Sequence, residues 1–167
     1  LYAEAIGAEN VYLVNMPTRF NSDTTKNAAR DLAKNLGCPY MVAPISEMLN
    51  AVCDSLAKCN FVRSDKKIVV EGINYENLQA RTRSAKASNN QRLLTCISPI
   101  YTCKTSTRIC AGITCNGNKS EATTGYCTLY GDTCGVMCAL GDLWKTQVYE
   151  LARYINRKKV IIPKASI

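Results

Sequence analysis

The chain has 167 residues, 47% of them hydrophobic, enough for one domain with a buried core and too apolar for a disordered polymer. No apolar run reaches the length of a membrane span and no signal-peptide pattern opens the chain, so no membrane partner is expected and the cytoplasm is the expected location. The net charge is +8, but the Lys and Arg residues are scattered without interleaved aromatics, which argues against nucleic acid and for a solvated surface or a phosphate-rich small ligand; with no His, general-base work falls to Asp, Glu, Lys or Tyr.

Residues Leu1 to Gly7 read as the last turns of a helix closed by glycine, as if the chain continued a longer protein. Val11 to Met16 is apolar and β-rich and predicts a strand ended by Pro17. Ala28, Ala29, Leu32, Ala33 and Leu36 share one face of a helix that Ser22 starts and Gly37 stops. Tyr40 to Ala43 is a second short strand. Ser46 is placed to cap the next helix, whose apolar face is Met48, Leu49, Val52, Cys53 and Leu56. Strand, helix, strand, helix implies a parallel sheet covered by helices.

Lys58 to Lys67 is polar and reads as a loop, with Ile68 to Val70 as a possible brief strand. A helix from Asn74 to about Ala87 places Asn77 and Arg81 on one face, four residues apart, and Arg83 on another, where it would serve structure or a dimer. Read from pattern alone, Arg81 is rather a surface ion-pair partner of Glu76 or Asp54. Arg92 to Ile97 reads as a separate short helix before Pro99, and Arg108 to Cys115 as a strand. Thr146 to Asn156 is a clear amphipathic helix, with Val148, Leu151, Ala152 and Ile155 on its apolar face.

Ten cysteines accompany no sign of secretion and no C-x-x-C pair, so reduced, mostly buried thiols are expected rather than disulfides or zinc; Cys38, Cys53, Cys115 and Cys127 sit in apolar or element-edge contexts.

The organising stretch is Thr114 to Lys145. The apolar run Ile109 to Ile113 feeds the turn Cys115-Asn116-Gly117-Asn118-Lys119-Ser120-Glu121, and two further Gly-Asp turns follow at Gly131-Asp132 and Gly141-Asp142. A strand, a polar turn and a helix start are how an α/β sheet presents ligand-binding groups at its carboxyl edge. The bland alternative is an ordinary cluster of Gly, Asn and Asp turns. The sequence GNKSEATTGYCTLYGD, followed by ALGDLWKTQVYELARYIN, closely resembles the synthetase domain of NAD synthases, especially the glutamine-dependent kind. Glu76 to Arg83 resembles that family's ENxQARxR signature and Asn10 to Phe20 a further block, so that four blocks match in the same order. The resemblance lapses between Ala85 and Ile113.

The resemblance implies a three-layer α/β fold, with a parallel sheet and helices on both faces, like adenine-nucleotide α-hydrolases. It implies one partial domain over residues 1–167. The implied reaction is ATP-dependent amidation of deamido-NAD to NAD through an adenylylated intermediate, with Mg²⁺ as cofactor and ammonia free or drawn from glutamine. Glu121 matches the magnesium ligand, its bland alternative being a first-turn acid of a helix. Lys145 matches an ATP-contacting lysine, which pattern alone would leave solvated. Asn116 stands where many members place an ATP-contacting Thr. Arg81, with Asn77, matches the deamido-NAD contact, and Tyr126, Tyr130 and Asp132 line the same region by analogy.

The implied partners are ATP, deamido-NAD, ammonia, a second copy in a homodimer, and a nitrilase-like glutaminase domain elsewhere in the polypeptide. The family's pyrophosphate loop, SGGxDS, does not occur in these residues, so this stretch alone is expected to be inactive. Leu129 and Val136 stand where ammonia-dependent members carry Lys and Asp. Two other readings fit less of the sequence. One is another ATP pyrophosphatase of the GMP synthase kind, against which the ENxQARxR block argues. The other is a degenerate nucleotide-binding or dimerisation module, which the absent loop and the divergent 85–113 stretch favour.

Overall fold

A computed structural model describes residues 1–97 and 112–167, and of 88–97 the backbone only. Its helices are α1 (Tyr2–Ile6), α2 (Asp23–Leu36), α3 (Ser46–Ala57), α4 (Ile73–Ile97), α5 (Lys119–Thr124) and α6 (Lys145–Ile155). Strands β1 (Leu13–Asn15) and β2 (Tyr40–Val42) pair in parallel, with Leu13 opposite Tyr40 and Asn15 opposite Val42. Each strand is shorter than the apolar run that signals it. The fold is α/β, a parallel sheet flanked by helices.

The β1–α2–β2 unit follows from local chemistry. The Ser22 side chain accepts the Thr25 N–H, and Gly37 adopts φ 74°, ψ 22° to receive the chain as α2 ends. That left-handed conformation costs little only without a Cβ. Between these caps, Ala28 and Ala33 bury their small side chains, and α2 packs on β1. The core continues through Cys38, Ala43, Ile45 and Leu49, the last two essentially fully buried. Desolvation, and then the charge of Glu9, pushes the Cys38 thiol above its ordinary pKa.

Ser46 does not cap α3. The residue before the helix is Ile45, whose burial draws it into the core and leaves Ser46 already inside the first turn. Helix α4 is one continuous element rather than two. Ser88, Asn89 and Asn90 are weak helix formers, but none removes a backbone donor as proline does, so the helix runs through them. Ile68 to Val70 forms no strand; Val69 stays exposed, and the only pairing nearby is a single antiparallel bridge between Asn60 and Lys67. Pro99 and most of the expected strand from Arg108 to Cys115 lie outside the described residues. Its described end makes one parallel bridge, Thr114 to Met137, with N–H···O bonds of 2.8 Å from Cys115 to Met137 and from Val136 to Ile113. The last helix spans Lys145–Ile155, one residue earlier than its pattern. Beyond it, the Asn156 side chain bonds Ile161 and Ile162, and Asn35 of α2 donates to the Ile161 carbonyl at 2.9 Å, tying the tail back to the sheet unit.

Candidate functional site

The turn after Thr114 is built to hold one carboxylate. Asn118, almost fully buried, accepts the Glu121 N–H at 3.1 Å, while the Glu121 carboxylate accepts the Asn118 N–H at 3.1 Å. This reciprocal capping box starts α5 and fixes the Glu121 side chain. The start of α6 is tied to the same turn. Lys119 N–H donates to the Leu143 carbonyl at 2.9 Å, and Lys145 N–H donates to Ser120 Oγ at 3.0 Å. Gln147 reaches back to accept the Trp144 N–H. Lys145 Nζ therefore arrives 3.5 Å from Glu121 Oε1, over the Tyr149 ring, while Lys119 Nζ lies 4.9 Å from the centre of the Trp144 ring.

Glu121 faces an open cleft of about 310 Å³ whose wall also includes Met16 just past β1, Arg83 and Ser84 of α4, Asn116, Gly117 and Asp132. The cleft thus lies beyond the carboxyl end of β1. Arg83 Nε donates to the Met16 carbonyl at 3.3 Å, and desolvation lowers the pKa of its half-buried guanidinium. Fixed positive charge at the floor of the cleft is what a phosphate ligand needs.

Helix α4 forms the opposing support. Thr128 Oγ1 donates to Asn77 Oδ1 at 2.7 Å, Arg81 Nε donates to the Leu129 carbonyl at 3.1 Å, and Ser84 Oγ donates to the Tyr130 carbonyl. Asp132 Oδ1 accepts the Thr128 N–H at 2.8 Å, closing the turn on itself.

Asn116, Glu121 and Asp132 line the cleft, and Lys145 joins it through Glu121. Asn77 and Arg81 sit one layer behind, holding the 128–130 turn; Arg81 takes a backbone carbonyl where pattern also allowed Glu76 or Asp54. Tyr126 is 76% exposed and lies outside the cleft wall. Arg83, Ser84 and Thr128 are the residues that sequence reasoning does not place here. Their signal was faint: Arg83 and Ser84 follow Arg81 on the helix, and Thr128 lies between Gly125 and Gly131. Among the described cysteines all are free, but only Cys38 is buried. Cys127 and Cys138 are exposed, because the turn region that carries them is thin and has little apolar cover, contrary to the expectation of mostly buried thiols. Cys138 Sγ donates to the Gly117 carbonyl at 3.1 Å.

A family model described as NAD synthase matches residues 1–167, the whole chain. The chain belongs to the NAD synthase family. It is 37% identical over 160 residues to the glutamine-dependent NAD(+) synthetase of Synechocystis sp., covering 96% of this chain and 25% of that protein. It is 36% identical over 163 residues to the enzyme of that name from Thermotoga maritima, with the same coverage. Among solved structures, the glutamine-dependent NAD+ synthetase of Acinetobacter baumannii in complex with ADP superposes with a TM-score of 0.77 at 32% identity, over 97% of this chain and 27% of that one. The chain spans about a quarter of the length of these NAD synthetases. Its parallel sheet flanked by helices is consistent with the Rossmann-like, adenine-nucleotide hydrolase fold.

Proposed function

We propose that residues 1–167 are one incomplete synthetase domain of a longer cytoplasmic enzyme that amidates deamido-NAD to NAD with ATP, taking ammonia from glutamine or from solution. The supporting observation is that Glu121, Asp132, Asn116 and Arg83 converge on one cleft, with Lys145 bonded to Glu121, in a chain matched by the family over its whole length. In the complete protein this part would act beside a nitrilase-like glutaminase domain and in a homodimer.

The donor set suits magnesium. Glu121 and Asp132 offer hard carboxylate oxygens in the cleft wall, each with acceptor capacity left after its single backbone N–H. Mg²⁺ takes one or two such ligands and completes its shell with water and phosphate. Bound there, Mg²⁺ would neutralise phosphate charge. Glu121 is the ligand we favour, since its capping box fixes the carboxylate in advance.

The remaining roles fall to side chains. Lys145 places a point charge against the ATP phosphates, and the Asn116 amide donates to the nucleotide. Arg81 spends Nε on Leu129 but keeps its other N–H groups for the dinucleotide; Asn77 likewise keeps its amide donor. Tyr126 would offer an exposed ring from outside the cleft wall, and Asp132 an acceptor within it. A carboxylate oxygen of the nicotinate moiety bonds to the α-phosphorus as the bond to pyrophosphate breaks. Ammonia then attacks the acyl carbon, the C–O bond to AMP breaks, and a proton is released. Holding both anions in line is what such a site contributes.

The 167 residues contain no SGGxDS sequence. We therefore propose that they do not turn over alone, because donors for the departing pyrophosphate are too few. The adenylylated intermediate is tested in the complete protein with deamido-NAD whose nicotinate carboxylate carries heavy oxygen. Transfer of one labelled oxygen to AMP is expected. Label retained wholly in water or phosphate, or ADP as the nucleotide product, would overturn the reading.

A further inference from the structure

Three consecutive turn residues are held by three side chains of one helix. Asn77, Arg81 and Ser84 lie at i, i+4 and i+7 on α4 and meet Thr128, Leu129 and Tyr130 in the same order. The next residue, Gly131, is packed so closely on the helix that a Cβ there would stand 2.8 Å from the Ala80 Cβ and 3.0 Å from the Thr128 Cβ. The turn is thus pressed against α4 along its length. At the end of the contact, Tyr130 has φ 60°, one of two non-glycine residues with positive φ among those described. For a bulky L-residue this is strained, and such strain persists only where the surroundings over-determine it.

Ser84 is the group that acts on the strained residue. Its one hydroxyl proton is shared between the Tyr130 carbonyl and the Arg81 carbonyl of its own helix turn, 2.9 Å away, which keeps the Ser84 oxygen between the two. Ser84 lines the cleft, as does Asp132 two residues beyond Tyr130. The peptide after Tyr130 leads directly into Gly131 and Asp132, whose carboxylate the Thr128 N–H holds at 2.8 Å, so the Tyr130 carbonyl sits inside the turn that carries Asp132 to the cleft.

We infer that Ser84 is a positioning residue, which by holding the Tyr130 carbonyl keeps the backbone left-handed there and the Asp132 carboxylate turned to the cleft. Its effect runs through the turn rather than through contact with a reacting atom. The inference rests on the amidation reading above, and the dinucleotide side of the cleft is where it acts.

The test is a double-mutant cycle in the complete protein, measuring NAD formation from deamido-NAD, ATP and ammonia. Loss of one neutral hydrogen bond should raise the KM for deamido-NAD about three- to tenfold in Ser84→Ala, with kcat changed less. Ser84→Thr keeps a hydroxyl at the same position and should restore most of the affinity. Glycine adopts φ 60° without strain, so in a Tyr130→Gly background the further cost of Ser84→Ala should shrink to about twofold or less. An undiminished cost in that background, or a Ser84→Thr as poor as Ser84→Ala, would overturn the positioning role. Thermal melts of all five proteins identify any variant that fails to fold, and the Ser84→Thr comparison then decides the matter. A parent protein that makes no NAD would overturn the amidation reading itself, an outcome distinct from an active parent that is indifferent to Ser84.

Discussion

Lys145 Nζ stands 3.5 Å from Glu121 Oε1, joining residues 24 apart in sequence across the starts of two helices. Both side chains are part exposed, so the pair is screened by solvent and contributes about 0–1 kcal/mol to folding. Its worth lies in placing a cation beside a carboxylate at the cleft. In the proposed site, Lys145 is free to turn from Glu121 to phosphate when an anion enters.

That division gives the first prediction. Lys145→Gln in the complete protein should lower turnover by about tenfold or more while shifting the melting temperature little. Parallel melts and NAD assays check it. A large fall in melting temperature with turnover intact would make the pair structural.

Asn118 should behave oppositely. It is almost fully buried and both ends of its capping box lie in the site turn. Asn118→Ala should destabilise by about 1 kcal/mol, read from the denaturant midpoint, and should also lower activity by loosening Glu121. Asn118→Ser or Asn118→Asp, which can still cap, should recover most of the stability.

Two glycines of the site region separate close approach from open space. A Cβ on Gly135 would stand 2.4 Å from the Cys115 nitrogen and 2.8 Å from the Thr114 carbonyl carbon, both rigid backbone. On Gly117 the nearest atoms are side-chain atoms at 3.7 and 3.9 Å. Gly135→Ala should therefore part the Thr114–Met137 bridge and cost about 1–3 kcal/mol, whereas Gly117→Ala should be sterically tolerated. Hydrogen exchange at the Cys115 and Val136 amides, which form that bridge's bonds, is the direct readout.

Much of the fold was legible because its signals are local. The Ser22 and Gly37 caps and the alanine face between them place α2 to the residue, and the β-rich runs place both strands. What was not legible depends on tertiary burial. Ile45 displaces Ser46 from its capping role because the core claims it, and no local pattern states that. The length of α4 through Ser88 to Asn90 reflects the absence of a breaker rather than a strong propensity. At the candidate site, the polar turn and the first-turn acid Glu121 were legible, while the capping box from Asn118 to Glu121 emerges in the structure. The contacts of Thr128, Leu129 and Tyr130 with α4 span 46 to 51 residues and leave no periodic trace.

The role of Glu121 is tested most directly by substituting an amide. Glutamine can also close a capping box, so Glu121→Gln should fold as the parent does, with a melting temperature within a few degrees. What it lacks is the negative charge that would hold Mg²⁺. The decisive measurement is NAD formation by the complete protein and its Glu121→Gln variant across a magnesium titration, with ATP, deamido-NAD and ammonia supplied. The expected result is turnover reduced about a hundredfold or more in the variant at low Mg²⁺, in a protein that melts normally. Equal turnover by the two proteins at low Mg²⁺ would remove Glu121 from the metal site and contradict the assignment of this cleft.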